Sequence, residues 1–232
     1  MAAHTPKHIA IILFPGFQLL DVTGPLDTLN VLSRSTPLRL SILASTLGTL
    51  HHGNTDPVST ALPPTPSTPS TPPFAQSILP THTFDTAPPD IDVLIVPGGP
   101  GTRTPATTRP ILPFITRTYP SLTHLLSICT GSGIVAQTGV LDGRRATSNK
   151  RAFAWAKQQS EAVAWVARAR WVVDGNVWTS SGVAAGMDMV YAWVEAVWGE
   201  GIAGELADGS EYERNRDSGN DRFAERWGAT DG

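Results

Sequence analysis

A chain of 232 residues is long enough to bury a sizeable core, and α/β domains of this length commonly run as one unit. With 41% hydrophobic and 16% charged residues and a net charge of -3, it offers no basic field for a nucleic-acid backbone. No stretch approaches the roughly 18 apolar residues of a membrane helix, Met1 to Lys7 lacks the features of a secretion signal, and a single cysteine excludes an internal disulfide or a cysteine-cluster metal site. A soluble protein of the reducing cytoplasm is expected.

His8 to Phe14 is a continuous apolar run closed by Pro15-Gly16, which predicts a strand covered on both faces. Asp21 to about Ser33 predicts a helix, with Pro25 in its first turn and Leu26, Leu29 and Leu32 at apolar spacing. Leu38 to Ala44 is a second strand. Leu62 to Pro73 is rich in proline, threonine and serine, and predicts an exposed polyproline-like loop insertion at about 57–73.

Ile91 to Val96 is a third strand, ending in Pro97-Gly98-Gly99, and Arg109 to Tyr119 a helix. Leu122 to Ile128 is a fourth strand with Cys129 at its end, and Gly131 to Thr138 a helix stopped by Gly139. Arg145 to Ser148 reads as a short strand and Lys150 to Gln159 as a helix. Val163 to Val173 and Asn176 to Ser180 form a strand pair turned at Asp174-Gly175. Gly182 to Trp198 is an amphipathic helix whose stripe is Val183, Met187, Val190, Val194 and Val197.

Residues 200–232 are charged and glycine-rich, expected as a polar arm over the surface or a tail. Alternating strands and helices predict one α/β domain over 1–199, with a doubly wound, mostly parallel, flavodoxin-like sheet sandwiched by helices.

In such a sheet, ligands bind beyond the carboxyl ends of the strands. Cys129, Gly98, Gly99 and Asp21 all fall on that edge. Ser127-Ile128-Cys129-Thr130-Gly131 has the small neighbours that a nucleophile elbow requires, and the cysteine faces a helix N-terminus that favours its thiolate. A lone cysteine is more commonly inert packing, so this setting is what marks Cys129. The amides of Thr130 and Gly99 are the expected oxyanion hole, with Gly98 clearing room for substrate.

None of the six histidines is placed to serve Cys129: His124 lies five residues earlier on the same strand, roughly 16 Å away. His51 and His52 reach it only through loop folding. Asp21 is either a helix cap or the acid/base partner of the thiol.

These segments resemble the ThiJ/PfpI superfamily, of the class I glutamine-amidotransferase-like fold, and within it the isocyanide hydratase branch. The resemblance rests on Asp21-Val22-Thr23-Gly24-Pro25, Val96-Pro97-Gly98-Gly99, Ile128-Cys129-Thr130-Gly131, Gly139 to Thr147, and Thr179 to Asp188. It implies Cys129 as nucleophile, Asp21 as its acidic partner and Thr130 as the neighbour tuning the thiol. Substrate contacts would come from Gly98, Gly99, Thr23, Gly24, Ser148, Asn149 and Ser181.

It further implies a homodimer, a small-molecule substrate, no metal or organic cofactor, and hydration of an isocyanide to an N-formamide. Ser148-Asn149-Lys150 departs from the hydratase pattern, which continues there with a histidine and a tryptophan. Other members of the superfamily are glyoxalase- or deglycase-like enzymes, peptidases, redox-sensing or chaperone proteins, and regulators with an appended helix-turn-helix. The acidic, glycine-rich residues after Trp198 do not suit that last role.

Overall fold

The computed structural model describes residues 5–47, 58–59 and 76–231. In chain order its regular elements are β1 (His8–Ile12), α1 (Leu19–Leu32), β2 (Arg39–Ala44), β3 (Val58–Ser59), β4 (Ser77–Ile78), β5 (His82–Thr83) and β6 (Val93–Val96). There follow α2 (Pro105–Thr108), α3 (Ile111–Thr118), β7 (His124–Ser127), α4 (Gly131–Ala136), β8 (Arg145–Ala146), α5 (Phe153–Lys157) and β9 (Ala164–Trp165). The chain ends with β10 (Trp171–Asp174), β11 (Val177–Ser180), α6 (Val183–Trp198), α7 (Glu200–Gly209) and α8 (Phe223–Arg226).

Seven strands form one sheet in the order β10-β11-β7-β6-β1-β2-β5, all pairs parallel except β10 with β11. β1 is buried along its whole length, because its apolar run sits at the centre with helices over both faces. The chain first winds outward from β1 through β2 to β5, then returns to β6 on the other side of β1. The strand order therefore reverses between β1 and β6, and the crevice beyond their carboxyl ends is where such folds place ligands. Asp21 follows β1, Gly98 and Gly99 follow β6, and Cys129 follows β7. Helices α1, α6 and α7 pack as one group and α3, α4 and α5 as another.

Several local expectations change. α1 starts two residues before Asp21, with Gln18 at its N-cap, so Pro25 lies inside the helix rather than in its first turn. The expected strand Val163 to Val173 is broken. β9 joins β8 in a separate two-stranded sheet, while the carbonyls of Val166 and Ala169 are drawn off to the Thr147 hydroxyl (2.7 and 3.3 Å). The buried stripe of α6 is also rotated: Val190 and Val194 are buried, but Ala185, Met189 and Trp193 complete the face, and Val183 and Met187 are only half-buried. This helix packs on the sheet and against α1 and α7, so more than one stripe is covered.

The arm after Gly199 contains α7 and α8 and returns to the sheet edge, where the Arg170 N–H donates to Ser218 O (2.8 Å). The proline-rich stretch, with His51 and His52, lies outside the described residues.

Candidate active site

Cys129 takes a left-handed backbone conformation, φ 58°, one that costs a non-glycine residue of order 1–3 kcal/mol and needs the surroundings to enforce it. Three hydrogen bonds do so. The Cys129 N–H donates to Ser181 O (3.0 Å), and its carbonyl accepts from the hydroxyls of Ser148 (3.0 Å) and Ser132 (3.2 Å). Gly98 makes room for the turn: a Cβ there would lie 2.6 Å from Thr130 N and 2.8 Å from Cys129 Cβ. Strand, strained cysteine and helix thus form the elbow that the small residues predicted.

Asp21 is not a helix cap. No side chain caps α1, and the carboxylate of Asp21, fully buried, accepts the Gly98 N–H at Oδ2 (2.9 Å) and interacts with the Cys129 thiol. Its Oδ1 has no hydrogen bond of ordinary geometry. Burial raises its pKa to about 7, against the opposing pull of Gly98 and Cys129. The thiol is pushed up as well, by burial first and then by the charge of Asp21, while the Thr130 N–H, the Asn149 side chain and the Thr130 hydroxyl favour the thiolate. Burial outweighs the helix terminus expected to ionise the sulfur, because α4 is only six residues long. Both groups are thus pushed toward their neutral forms, the thiol partly by the charge of its carboxyl neighbour.

The expected pairing of the Thr130 and Gly99 amides is split: the Thr130 N–H interacts with the Cys129 sulfur, but the Gly99 N–H is taken by Thr130 Oγ1 (2.9 Å) and does not face a free site. The Gly98 N–H is likewise taken, by Asp21. Asn149 supplies a donor in their place. Its Oδ1 accepts the Ala152 N–H (3.2 Å), which turns Nδ2 toward Cys129 Sγ at 3.2 Å. Ser148, by contrast, spends its hydroxyl proton on the elbow carbonyl.

Thr23 and Gly24 are not brought to Cys129. At about 100° per residue, Thr23 turns to the far side of α1, while Gly24 faces Met187 of α6, whose Cγ would lie 3.0 Å from a Cβ there. Thr23 is exposed with its hydroxyl on Leu19 O (3.1 Å), and both residues line a separate groove with Tyr191 and Tyr212. Among the described residues no histidine bonds to Cys129; His124 instead packs edge-on against Trp193, centroids 5.9 Å apart. Nor is there a group of three or more His, Cys, Asp or Glu side chains able to hold a metal among them.

Beside the elbow lies a cavity of about 280 Å³ whose walls include Asn149, Ser181, Val183, Asp221, Phe223 and Trp227. The last three come from the C-terminal arm and were missed in the sequence; nothing local marks them, since only folding brings them across some 70 residues to Asn149. The arm is pinned by Lys150, buried with its Nζ donating to Thr147 Oγ1 (2.6 Å), Ala169 O (2.7 Å) and Ser148 O (3.2 Å) and lying 4.0 Å from Asp221 Oδ2. Burial lowers the Lys150 pKa to about 8, partly offset by Asp221 and Asp231.

Residues 7–196 match the DJ-1/PfpI family. This chain belongs to that family. It is 30% identical to an isonitrile hydratase of Pseudomonas putida over 191 residues, 82% of this chain and 72% of the relative. It is 31% identical to the HTH-type transcriptional regulator GbdR of Pseudomonas aeruginosa over 128 residues, 55% of this chain but only 34% of that protein. A crystal structure of a ThiJ/PfpI family protein from Pseudomonas syringae superposes with a TM-score of 0.68 at 27% identity, covering 90% of this chain and 76% of that one. The family thus includes an enzyme and a regulator. No helix among the described residues is long and apolar enough to cross a membrane.

Proposed function

We propose that this chain is a cysteine-dependent hydratase that converts an isocyanide to an N-formamide. The observation that carries this reading is the buried pair of Asp21 and Cys129, in which a carboxyl group near pKa 7 faces a thiol with no cation among the described residues acting on either. Such a group exchanges protons readily at neutral pH. The similarity to an isonitrile hydratase supplies the substrate class.

In the proposed reaction, sulfur bonds to the isocyanide carbon while Asp21 takes the thiol proton and returns it to that carbon, leaving a thioimidate. Water then adds to the same carbon and a proton moves to nitrogen. The C–S bond breaks, the hydroxyl becomes the formyl oxygen, and its proton returns to sulfur. The Asn149 and Thr130 N–H groups stabilise negative charge on sulfur as it develops. The lone thiol suits a reducing cytoplasm. The groove holding Leu20, Leu40 and Tyr191 offers an apolar face for a second copy in a homodimer, which light scattering would detect.

The test is incubation with p-nitrophenyl isocyanide while following formamide. Turnover is expected, lost in Cys129→Ala and reduced ~10²–10⁴-fold in Asp21→Asn. Absence of turnover above the Cys129→Ala background removes the hydratase reading.

A further inference from the structure

We propose that the cavity beside Cys129 is a carboxylate-binding pocket, in which the N-terminus of α6 holds an anionic group and the aromatic side chains of the C-terminal arm cover the apolar body that carries it. The inference rests on Cys129 as the reacting residue and adds what its substrate should look like: a small molecule bearing one carboxylate on an aromatic or branched frame.

α6 is 16 residues long, its N-cap Gly182 has no side chain to cap it, and it has no acidic residue in its first turn. The first amide to find a helical partner is that of Gly186, bonded to Gly182 O at 3.1 Å. The amides of Val183, Ala184 and Ala185 therefore have no protein acceptor among the described residues, and they present the positive end of the helix dipole to the cavity. Anions favour such termini.

An independent observation lies in Ser181. It is 1% exposed and lines the same cavity, and among the described residues its hydroxyl has no hydrogen-bond partner. With no donor or acceptor from the described residues and only a trace of accessible surface, that hydroxyl is free to serve a ligand or solvent in the cavity. Its carbonyl holds the Cys129 N–H, so this hydroxyl sits next to the elbow.

Charge favours one anion. Lys150 lies 4.0 Å from Asp221 and Arg170 lies 2.5 Å from Asp188, leaving those two cations balanced. Asp221 also accepts the Phe223 N–H at 3.0 Å, which further occupies its carboxylate. Arg151, also in the lining, has no ion pair among the described residues and lies over the Trp227 ring, 5.5 Å from its centroid. One cation is in excess. Val183, Phe223 and Trp227 make the remaining wall apolar, and about 280 Å³ suits a fragment-sized ligand. A molecule held there is one side chain from the sulfur, because Asn149 lines the cavity and reaches Sγ at 3.2 Å.

Calorimetric titration of the full chain with benzoate, against benzamide as its neutral counterpart, tests this. Benzoate should bind at least ~10-fold more tightly than benzamide, and Ser181→Ala and Arg151→Gln should each weaken it ~5-fold or more. Equal binding of the two compounds, no binding of benzoate at millimolar concentration, or full affinity in both variants would overturn the proposal. Cys129→Ala should bind benzoate within ~2-fold of the native chain. A failed formamide assay with benzoate binding intact would therefore remove the reaction and leave the pocket standing.

Discussion

Two buried polar centres flank Asn149, and they are built on opposite terms. On one side, Asp21 and Cys129 share a site without a cation; Asp21 Oδ1 is unbonded, and both groups are pushed toward their neutral forms. On the other, Lys150 makes three hydrogen bonds and an ion pair with Asp221, while Arg170, Tyr212 and the Asn215 N–H all meet Asp188. The carboxylates of both centres are buried. What separates them is satisfaction: the second has a partner for each charge and serves to fasten the arm, while the first leaves Asp21 Oδ1 without a hydrogen bond among the described residues. Burial alone perturbs a pKa, but chemistry follows where the perturbed group keeps an unspent atom.

The largest effect should come from breaking the fastened centre. Lys150→Met strands Asp221 in the interior and is expected to cost ~3–5 kcal/mol in urea unfolding, the usual loss when one partner of a buried pair is removed. Limited proteolysis should then cut the arm between α7 and α8 first, and an unchanged midpoint would show that the pair is not what holds it.

Crowding the elbow should cost less stability but strike the thiol directly. Gly98→Ala places a methyl 2.6 Å from Thr130 N, an overpacking expected to cost ~1–3 kcal/mol. Formamide production should fall with Asp21 and Lys150 both intact, and wild-type turnover would mean the turn tolerates displacement.

A third effect is a change in pH slope. The folded-state pKa of Asp21 is raised to about 7 from an ordinary 3.8. Its contribution to stability is therefore complete below about 3.8 and is lost as pH climbs through about 7. Asp21→Asn keeps an acceptor for Gly98 but does not titrate. The stability of the variant relative to the native chain should rise between pH 4 and pH 7 and then level off, read as a Tm gain of ~2–4 °C for each kcal/mol recovered in a chain of this size. Parallel curves would return Asp21 to an ordinary carboxylate.

Much of this was legible in the sequence because it depends on local pattern. The apolar run at His8, the alternation of strands and helices, and the small residues around Cys129 set the α/β class and the elbow, since periodicity and steric room act over a few residues. Asp21 could be narrowed to cap or acid; the start of α1 at Leu19 and the Gly98 amide at 2.9 Å removed the cap. Thr23 and Gly24 share a motif with Asp21, yet helical rotation turns Thr23 outward and the packing of α6 sets Met187 against Gly24.

Tertiary structure alone decided where the hydrogen bonds went. It gave the Gly98 and Gly99 amides to Asp21 and Thr130, turned Asn149 toward the sulfur through its bond to Ala152, and carried Phe223 and Trp227 to the wall of the cavity. The sequence marked Cys129 through its local geometry. The groups that surround its thiol and the shape of the neighbouring pocket come from distant parts of the chain, and only packing selects those.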